Sequence, residues 1–452
     1  MRLNLPKTSM LGVFLLCFST LIAQEYNYEA TAGASIFRSS QQNLPFWMQA
    51  NTNGAVDRET NFLIDGGLSG NLRLNNGWVL SAKASLFYRD EVPDELQRDE
   101  LYAQLDTPWL SVVVGSRRNE DRFEGLGLVQ DNFLLSGNAR ALPGILVEAP
   151  TPQRIFKGVA LDWGIGHYEL NDDRFVDDAM LHFKRLAAVI NLSPRTTLKA
   201  GIQHYAQWGG NSPERGEQPS GFSDFIDIFF ASQGSDAASD TDRANALGNH
   251  LGLYELEVNH RTTYGNLRFY HSHPFEDGSG TRLKNFPDGI WGFYYDPNTE
   301  DYTSLFKGLV VEYFQTTDQS GATGDAGRDN YFRSGVYRSG WTYDGNILGL
   351  PFITMDETGL EIANNRVRGI HLGLSAGRGS WLVYTKATAW ENFGSFRLDN
   401  RIDPPQQILN TFVGFQYDFK KYGKLNLQAA ADWGDGFRDT YGVSLGYRIS
   451  VQ

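Results

Sequence analysis

Val443-Ser444-Leu445-Gly446-Tyr447-Arg448-Ile449-Ser450-Val451 alternates without a break between large apolar side chains and small or polar ones. Successive residues of a strand point to opposite faces, so the valines, Leu445, Tyr447 and Ile449 share one side and Ser444, Gly446, Arg448 and Ser450 the other. Such a strand suits a wall between lipid and a wet lumen. As a C-terminal strand it resembles the signal read by the barrel-insertion machinery of outer membranes, departing from it in ending on Gln452 instead of an aromatic.

The pattern recurs upstream. Val413, Phe415, Tyr417 and Phe419 oppose Gly414, Gln416, Asp418 and Lys420; Leu425, Leu427 and Ala429 oppose Asn426 and Gln428. Leu198, Ala200 and Ile202 oppose Lys199, Gln203, Tyr205 and Gln207, and Tyr254, Leu256 and Val258 oppose Glu255, Glu257 and Asn259. Charges on the second face predict a polar interior. Segments of this kind fall near 26–37, 61–74, 77–88, 99–107, 110–117, 156–170, 179–192, 196–208, 250–262, 265–273, 305–316, 366–377, 380–391, 408–420, 423–433 and 440–451.

Bacterial barrels favour even strand numbers, short periplasmic turns and long outer loops. Tight turns at Ser193-Pro194-Arg195 and Thr263-Tyr264 fall on the periplasmic side only if strands are added near 142–149 and 289–295. The expected fold is therefore an all-β, closed antiparallel transmembrane barrel of about eighteen strands. Its long outer connections are 38–60, 89–98, 118–141, 171–178, 209–249, 274–288, 317–365 and 392–407. Within one of them, Gly221 to Phe230 reads as a helix with Phe222, Phe225, Ile226 and Phe229 on one face, a small plug or lid for the lumen.

Composition bounds the alternatives. Arg2 and Lys7 precede the apolar run Leu11 to Phe18, and small or polar residues follow to Gln24, the pattern of a cleaved secretory signal peptide over residues 1–24. The remaining residues 25–452 then form one barrel domain. The only cysteine, Cys17, falls in the leader, so no disulfide and no cysteine-ligated metal is expected. Removing the leader takes away two cations and no acids, moving the formal charge from −13 to −15, which argues against a nucleic-acid partner. No later apolar run reaches the ~18 residues of a membrane helix. Aromatics at 13% with 48 glycines and 16 prolines fit a barrel, whose backbone hydrogen bonds are all satisfied internally.

Catalytic motifs fail on inspection. His271-Ser272-His273-Pro274 has the spelling of the JAMM-type zinc metalloprotease core, but the required downstream serine and aspartate are Arg282 and Asn285. Glu255, Glu257 and Glu312 could share the lumen as glycosidase acids, yet porin interiors carry such charges routinely. No nucleophile elbow, phosphate loop or dinucleotide fingerprint occurs in a strand-to-helix context. No enzyme activity, cofactor or metal is expected.

Aromatic residues interleaved with amides and charges are more informative: Leu44 to Asn51, the 331–343 region, and Trp390-Glu391-Asn392-Phe393-Gly394. Sugars lay C–H faces on rings while amides, carboxylates and arginines take their hydroxyls. Internal loop packing accounts for the same clusters equally well. Isolated rings such as Trp381 and Trp433 fit an aromatic girdle better.

These stretches resemble the Wzi-type capsule-assembly family of bacterial outer membranes. The matching pieces run in order: Leu44-Pro45-Phe46-Trp47; Leu135 to Arg140 with Pro143; Ala246 to Gly252; Tyr270 to Gly280; Gln319-Ser320-Gly321; Asp329-Asn330-Tyr331; Gly340-Trp341-Thr342-Tyr343. The resemblance implies an eighteen-stranded outer-membrane barrel with a mouth narrowed by folded loops and a helical plug toward the periplasm. It also implies lectin-like, non-catalytic binding of capsular polysaccharide or exopolysaccharide. Glycan-binding candidates are Trp47, Gln49, Arg140, His271, His273, Asp277, Tyr331, Arg333 and Trp341, with Arg140, Arg333 and Arg338 suited to an acidic glycan. Outer-membrane lipid is the surrounding partner, and a porin or solute channel is the alternative.

Overall fold

In the computed structural model the described residues are 23–232, 246–276, 278–297, 305–320, 330–396 and 400–452. The leader, apart from its last two residues, and Asp277 lie outside them. The strands are β1 (Ala23–Ser39), β2 (Phe62–Leu74), β3 (Val79–Arg89), β4 (Leu96–Asp106), β5 (Ser111–Ser116), β6 (Pro143–Glu148, resumed as Gln153–Phe156), β7 (Val159–Leu170), β8 (Ala179–Ser193) and β9 (Thr196–Trp208). They continue as β10 (Asn249–Arg261), β11 (Gly265–Phe275), β12 (Gly289–Pro297), β13 (Phe306–Gln315), β14 (Val367–Arg378), β15 (Trp381–Gly394), β16 (Arg401–Asp418), β17 (Lys424–Gly434) and β18 (Thr440–Val451).

Each strand pairs antiparallel with its chain neighbours, and β18 closes on β1 with Tyr447 opposite Ala34. Both parts of β6 pair with β7, Glu148 opposite Gly164 and Gln153 opposite Leu161, so they fill one position in the wall. Eighteen positions result. The strands expected at 142–149 and 289–295 are both present.

The wall sorts its side chains as alternation predicts. Along β14, Ile370, Leu372 and Leu374 are exposed on the outside, whereas Val367, Gly369, His371, Gly373 and Ser375 are buried toward the lumen. An apolar face left exposed on every strand would be a liability in water and is the requirement in lipid. Tight turns mark the periplasmic end; at Arg378-Gly379-Ser380 the glycine takes φ +65° with nothing near its missing Cβ, so backbone conformation alone selects it. Trp78, Trp109, Tyr264, Trp381 and Tyr422 stand exposed at or beside these turns as an aromatic girdle.

Two of the boundaries that differ from expectation are informative. β7 starts at Val159, because Gln153–Phe156 belongs to the preceding strand, and β16 starts at Arg401, so most of the connection expected over 392–407 is strand. Pro404 and Pro405 hide that extension, because proline cannot donate to a strand ladder and its presence argues against a strand.

The lumen is the larger surprise. Its outer half is a hydrophobic core built from loops: Leu128, Val129, Phe133 and Leu134 from 117–142, and Phe332, Trp341, Leu348, Leu350 and Phe352 from 316–366. Inward residues at the outer strand ends, among them Phe183, Tyr205, Leu251 and Leu253, pack against it. The short helix α1 (Phe46–Gln49) adds Trp47 and Met48 from above. Below this core the interior is polar; beside the core, inward apolar residues merge with outward ones into runs that carry no alternation.

Helix α2 (Phe222–Phe230) forms where expected, in the outer connection between β9 and β10, but it packs against the outside of the wall and not in the lumen. Gly221 N donates to Asp224 Oδ2 at 2.8 Å to start it, and Lys184 Nζ donates to the Phe229 carbonyl near its end. Its buried contacts are Ile228 with Ala206, Trp208 and Leu247, and Phe225 with Trp208 at 5.7 Å and His182 at 5.2 Å. Met180, His182 and Lys184 alternate with the lumen residues of β8, as Ala206 and Trp208 do on β9. The helix thus lies on the outer wall, and within the lumen the plug consists of loops and α1.

Candidate functional site

The outer end of the barrel holds a cavity of about 1140 Å³. Its floor and sides come from loop 40–61, from 344–363, from the 435–439 turn and from the upper ends of β15 to β17. Phe46, Trp390 and Phe437 supply ring faces, interleaved with Gln41, Gln42, Asn43, Gln49, Asn138, Asn346 and Asn410. Trp390 Nε1 donates to Asn410 Oδ1 at 2.6 Å, and Asn410 Nδ2 donates to Asp432 Oδ1 at 2.8 Å, so this ring is fixed by the barrel wall. Asp432 Oδ2 accepts the Phe46 amide at 2.7 Å and ties the start of α1 to β17.

The cavity's cations are Arg58 and Arg438, neither with a side-chain partner among the described residues. Asp57, Asp344, Asp356, Glu357 and Asp432 are its acids. Burial opposes it, but the Thr358 hydroxyl and the Glu361, Leu360 and Thr358 amides together hold Asp356 below the usual carboxylate range. It therefore stays ionised at neutral pH. The arrangement offers stacking faces, amide donors and acceptors, and charges of both signs within one hollow.

Of the expected site residues, Gln49 lines this cavity, its Nε2 donating to the Leu44 carbonyl at 2.9 Å. Trp47 lies just beneath, with Nε1 donating to Thr388 Oγ1 at 3.2 Å and Lys386 Nζ 4.4 Å from its ring. Arg140 supports the wall from behind, pairing with Asp344 at 2.8 Å and donating to the Arg98 carbonyl at 3.1 Å. Trp341 is fully buried, donating to the Leu134 carbonyl at 2.6 Å. Tyr331 is buried too and donates to Asp288 Oδ2 at 3.1 Å. Arg333 pairs with Glu361 at 2.9 Å, and Arg338 with Glu214 at 2.8 Å. An acidic glycan would have to displace a carboxylate from each of these three arginines.

His271 and His273 take the outward parity of β11. The His271 ring stacks on Trp291 at 3.6 Å with Nδ1 3.0 Å from the Ile290 carbonyl. His273 is buried, between the Asp288 carbonyl and Asn285 Oδ1, each at 2.9 Å. Asn285, the position where the metalloprotease pattern wants its aspartate, spends its amide on Tyr331 and the Pro274 carbonyl, both at 2.7 Å. The inward carboxylates are engaged as well: Glu257 holds Arg122, and Glu312 accepts the Leu128 amide and the Tyr270 hydroxyl, both at 2.7 Å. Phe437, Arg438 and Arg58 were not legible as site residues. The turn carrying the first two is five residues long and shows no aromatic-amide cluster.

Fold and cavity together define an outer-membrane β-barrel with a filled lumen and a cavity at its mouth. The chain belongs to the capsule assembly protein Wzi family, whose profile matches residues 48–356. Among solved structures, it is similar to Wzi of Escherichia coli, described as an outer-membrane carbohydrate-binding β-barrel involved in group 1 capsule assembly. That likeness has a TM-score of 0.60 at 13% identity over 98% of this chain and 87% of that one. It also resembles OccAB4 of Acinetobacter baumannii (TM-score 0.52, 10% identity, 95% and 99% covered) and OpdO of Pseudomonas aeruginosa (0.51, 12%, 95% and 98%). At these identities the likenesses speak for the fold. No curated protein sequence matches the chain.

Proposed function

We propose that this barrel binds and organises capsular or related surface polysaccharide at the cell surface, as a lectin and without covalent chemistry. The observation that carries the proposal is the mouth cavity, where Phe46, Trp390 and Phe437 alternate with amides above a closed floor. Its volume exceeds the roughly 300–1,000 Å³ of small-molecule sites and suits several linked sugars better than one. Family membership and the description of the Escherichia coli structure support the same reading.

On this reading residues 25–452 are the mature barrel, delivered by a leader cleaved near Gln24 and inserted into outer-membrane lipid by the barrel-insertion machinery. Of the sequence candidates, Gln49 contacts the glycan, while Trp47, Arg140, Tyr331, Arg333 and Trp341 hold the loops that shape the cavity. Calorimetric titration of purified protein with its own strain's polysaccharide is the test. Phe437→Ala and Trp390→Ala each weaken binding at least tenfold while the barrel stays folded. Unchanged affinity in both variants would place the glycan elsewhere. Planar-bilayer recording addresses the channel alternative: wild-type protein is silent, and a steady open current would favour a pore.

A further inference from the structure

Helix α2 carries apolar side chains on two faces. Phe225 and Ile228 meet the barrel wall, and Phe222, Ile226 and Phe230, spaced four apart, point away from it at 81%, 40% and 69% exposure. In water each such side chain would forgo roughly 1.5–3 kcal/mol of burial. A helix of nine residues is also marginal alone. The position of the helix on the barrel removes the contradiction. Directly below it, on the outward faces of β7 to β10, Ile165, Leu186, Ile202 and Leu256 stand exposed in the band that faces lipid. Ile165 follows His167 by two residues toward the periplasm, roughly 7 Å along a strand. The exposed stripe of α2 continues that band upward without a step.

We propose that α2 is an external anchor seated in the outer leaflet, with Phe222, Ile226 and Phe230 packed among lipid acyl chains. Lys184 reaches the Phe229 carbonyl and lies 4.4 Å from the Phe229 ring, fixing the helix to the wall at its C-terminal end. Asp224 is spent on the Gly221 amide at the helix start, and Ser223 and Asp227 flank the apolar stripe. Residues 221–232 are thereby drawn down over the rim rather than across the mouth.

The experiment uses the full barrel in nanodiscs. Cys17 is the only native cysteine, so Phe222→Cys, Phe230→Cys and, at the mouth, Phe437→Cys, each in a Cys17→Ser chain, accept a single bimane label. Gel mobility before and after heating confirms that each variant is folded. Lipid carrying a nitroxide on its acyl chain quenches the labels at 222 and 230 at least twofold more than the label at 437. Equal quenching at all three sites overturns the proposal. So does quenching at 230 that depends on a spin-labelled second copy and not on labelled lipid, since another barrel would then cover the helix.

Discussion

Arg122 Nη2 donates to Glu257 Oε2 at 2.5 Å, joining the loop between β5 and β6 to the inward face of β10 across 135 residues of chain. The same guanidinium donates from Nη1 to Asp131 Oδ1 at 2.9 Å, so one arginine both folds the loop on itself and fastens it deep in the lumen. Losing one partner of a largely buried pair costs about 3 kcal/mol. Arg122→Ala gives brief openings in planar-bilayer recordings where the wild type is silent, and deletion of 119–139 gives a steady pore. A deletion variant as silent as the wild type would mean that this loop does not seal the barrel.

Gly373 marks where the sealing loop presses on the wall. A Cβ there would stand 2.3 Å from the Leu126 carbonyl oxygen, and His371 Nε2 lies 2.7 Å from the same atom. Gly373→Ala forces the loop to move, at about 1–3 kcal/mol. Semi-native electrophoresis shows the folded band converting at lower temperature. In a chain also lacking 119–139 the substitution has no effect; an equal shift in that background would place the strain in the strand itself.

Barrel topology was largely legible because lipid enforces alternation: β14, β16 and β18 each carry an outward apolar row that no loop residue can disguise. The site was less legible because its parts come from segments distant in sequence. Gln49, Trp390 and Phe437 meet only after the wall has closed, and nothing local marks Phe437 as their neighbour. Aromatic clusters in long loops also proved double-edged. Tyr331 and Trp341 carry the composition of a sugar site yet are buried among other loop residues. The outward placement of α2 was hidden for a related reason, since a helix apolar on several faces does not reveal which of them meets protein.

Trp341 separates support from contact. Its indole donates to the Leu134 carbonyl at 2.6 Å and lies edge-on to Tyr205 at 5.7 Å. Trp341→Ala costs about 3–5 kcal/mol of stability, whereas Trp341→Phe keeps most of the volume and gives up one hydrogen bond, about 1 kcal/mol. Polysaccharide affinity of Trp341→Phe stays within twofold of wild type. A tenfold loss in that variant, with the thermal transition nearly unmoved, would make Trp341 a contact residue after all.

Asp288 ties three outer segments together. Its carboxylate accepts the Gln319 amide at 2.8 Å, the Asp318 amide at 3.0 Å, the Tyr331 hydroxyl at 3.1 Å and Gln315 Nε2 at 3.3 Å. Burial nevertheless pushes its pKa up to about 6, outweighing these donors. An unfolded aspartate titrates near ~3.9, so the folded protein holds the proton more tightly. The resulting stabilisation is complete below about pH 4 and is lost as pH rises through about 6, a difference on the order of 3 kcal/mol. Hydrogen exchange at the Asp318 and Gln319 amides, corrected for intrinsic rates, should accelerate between pH 4 and 7 in the wild type. Asp288→Asn removes the titrating group and flattens that dependence; parallel profiles for the two proteins would assign the change to another group.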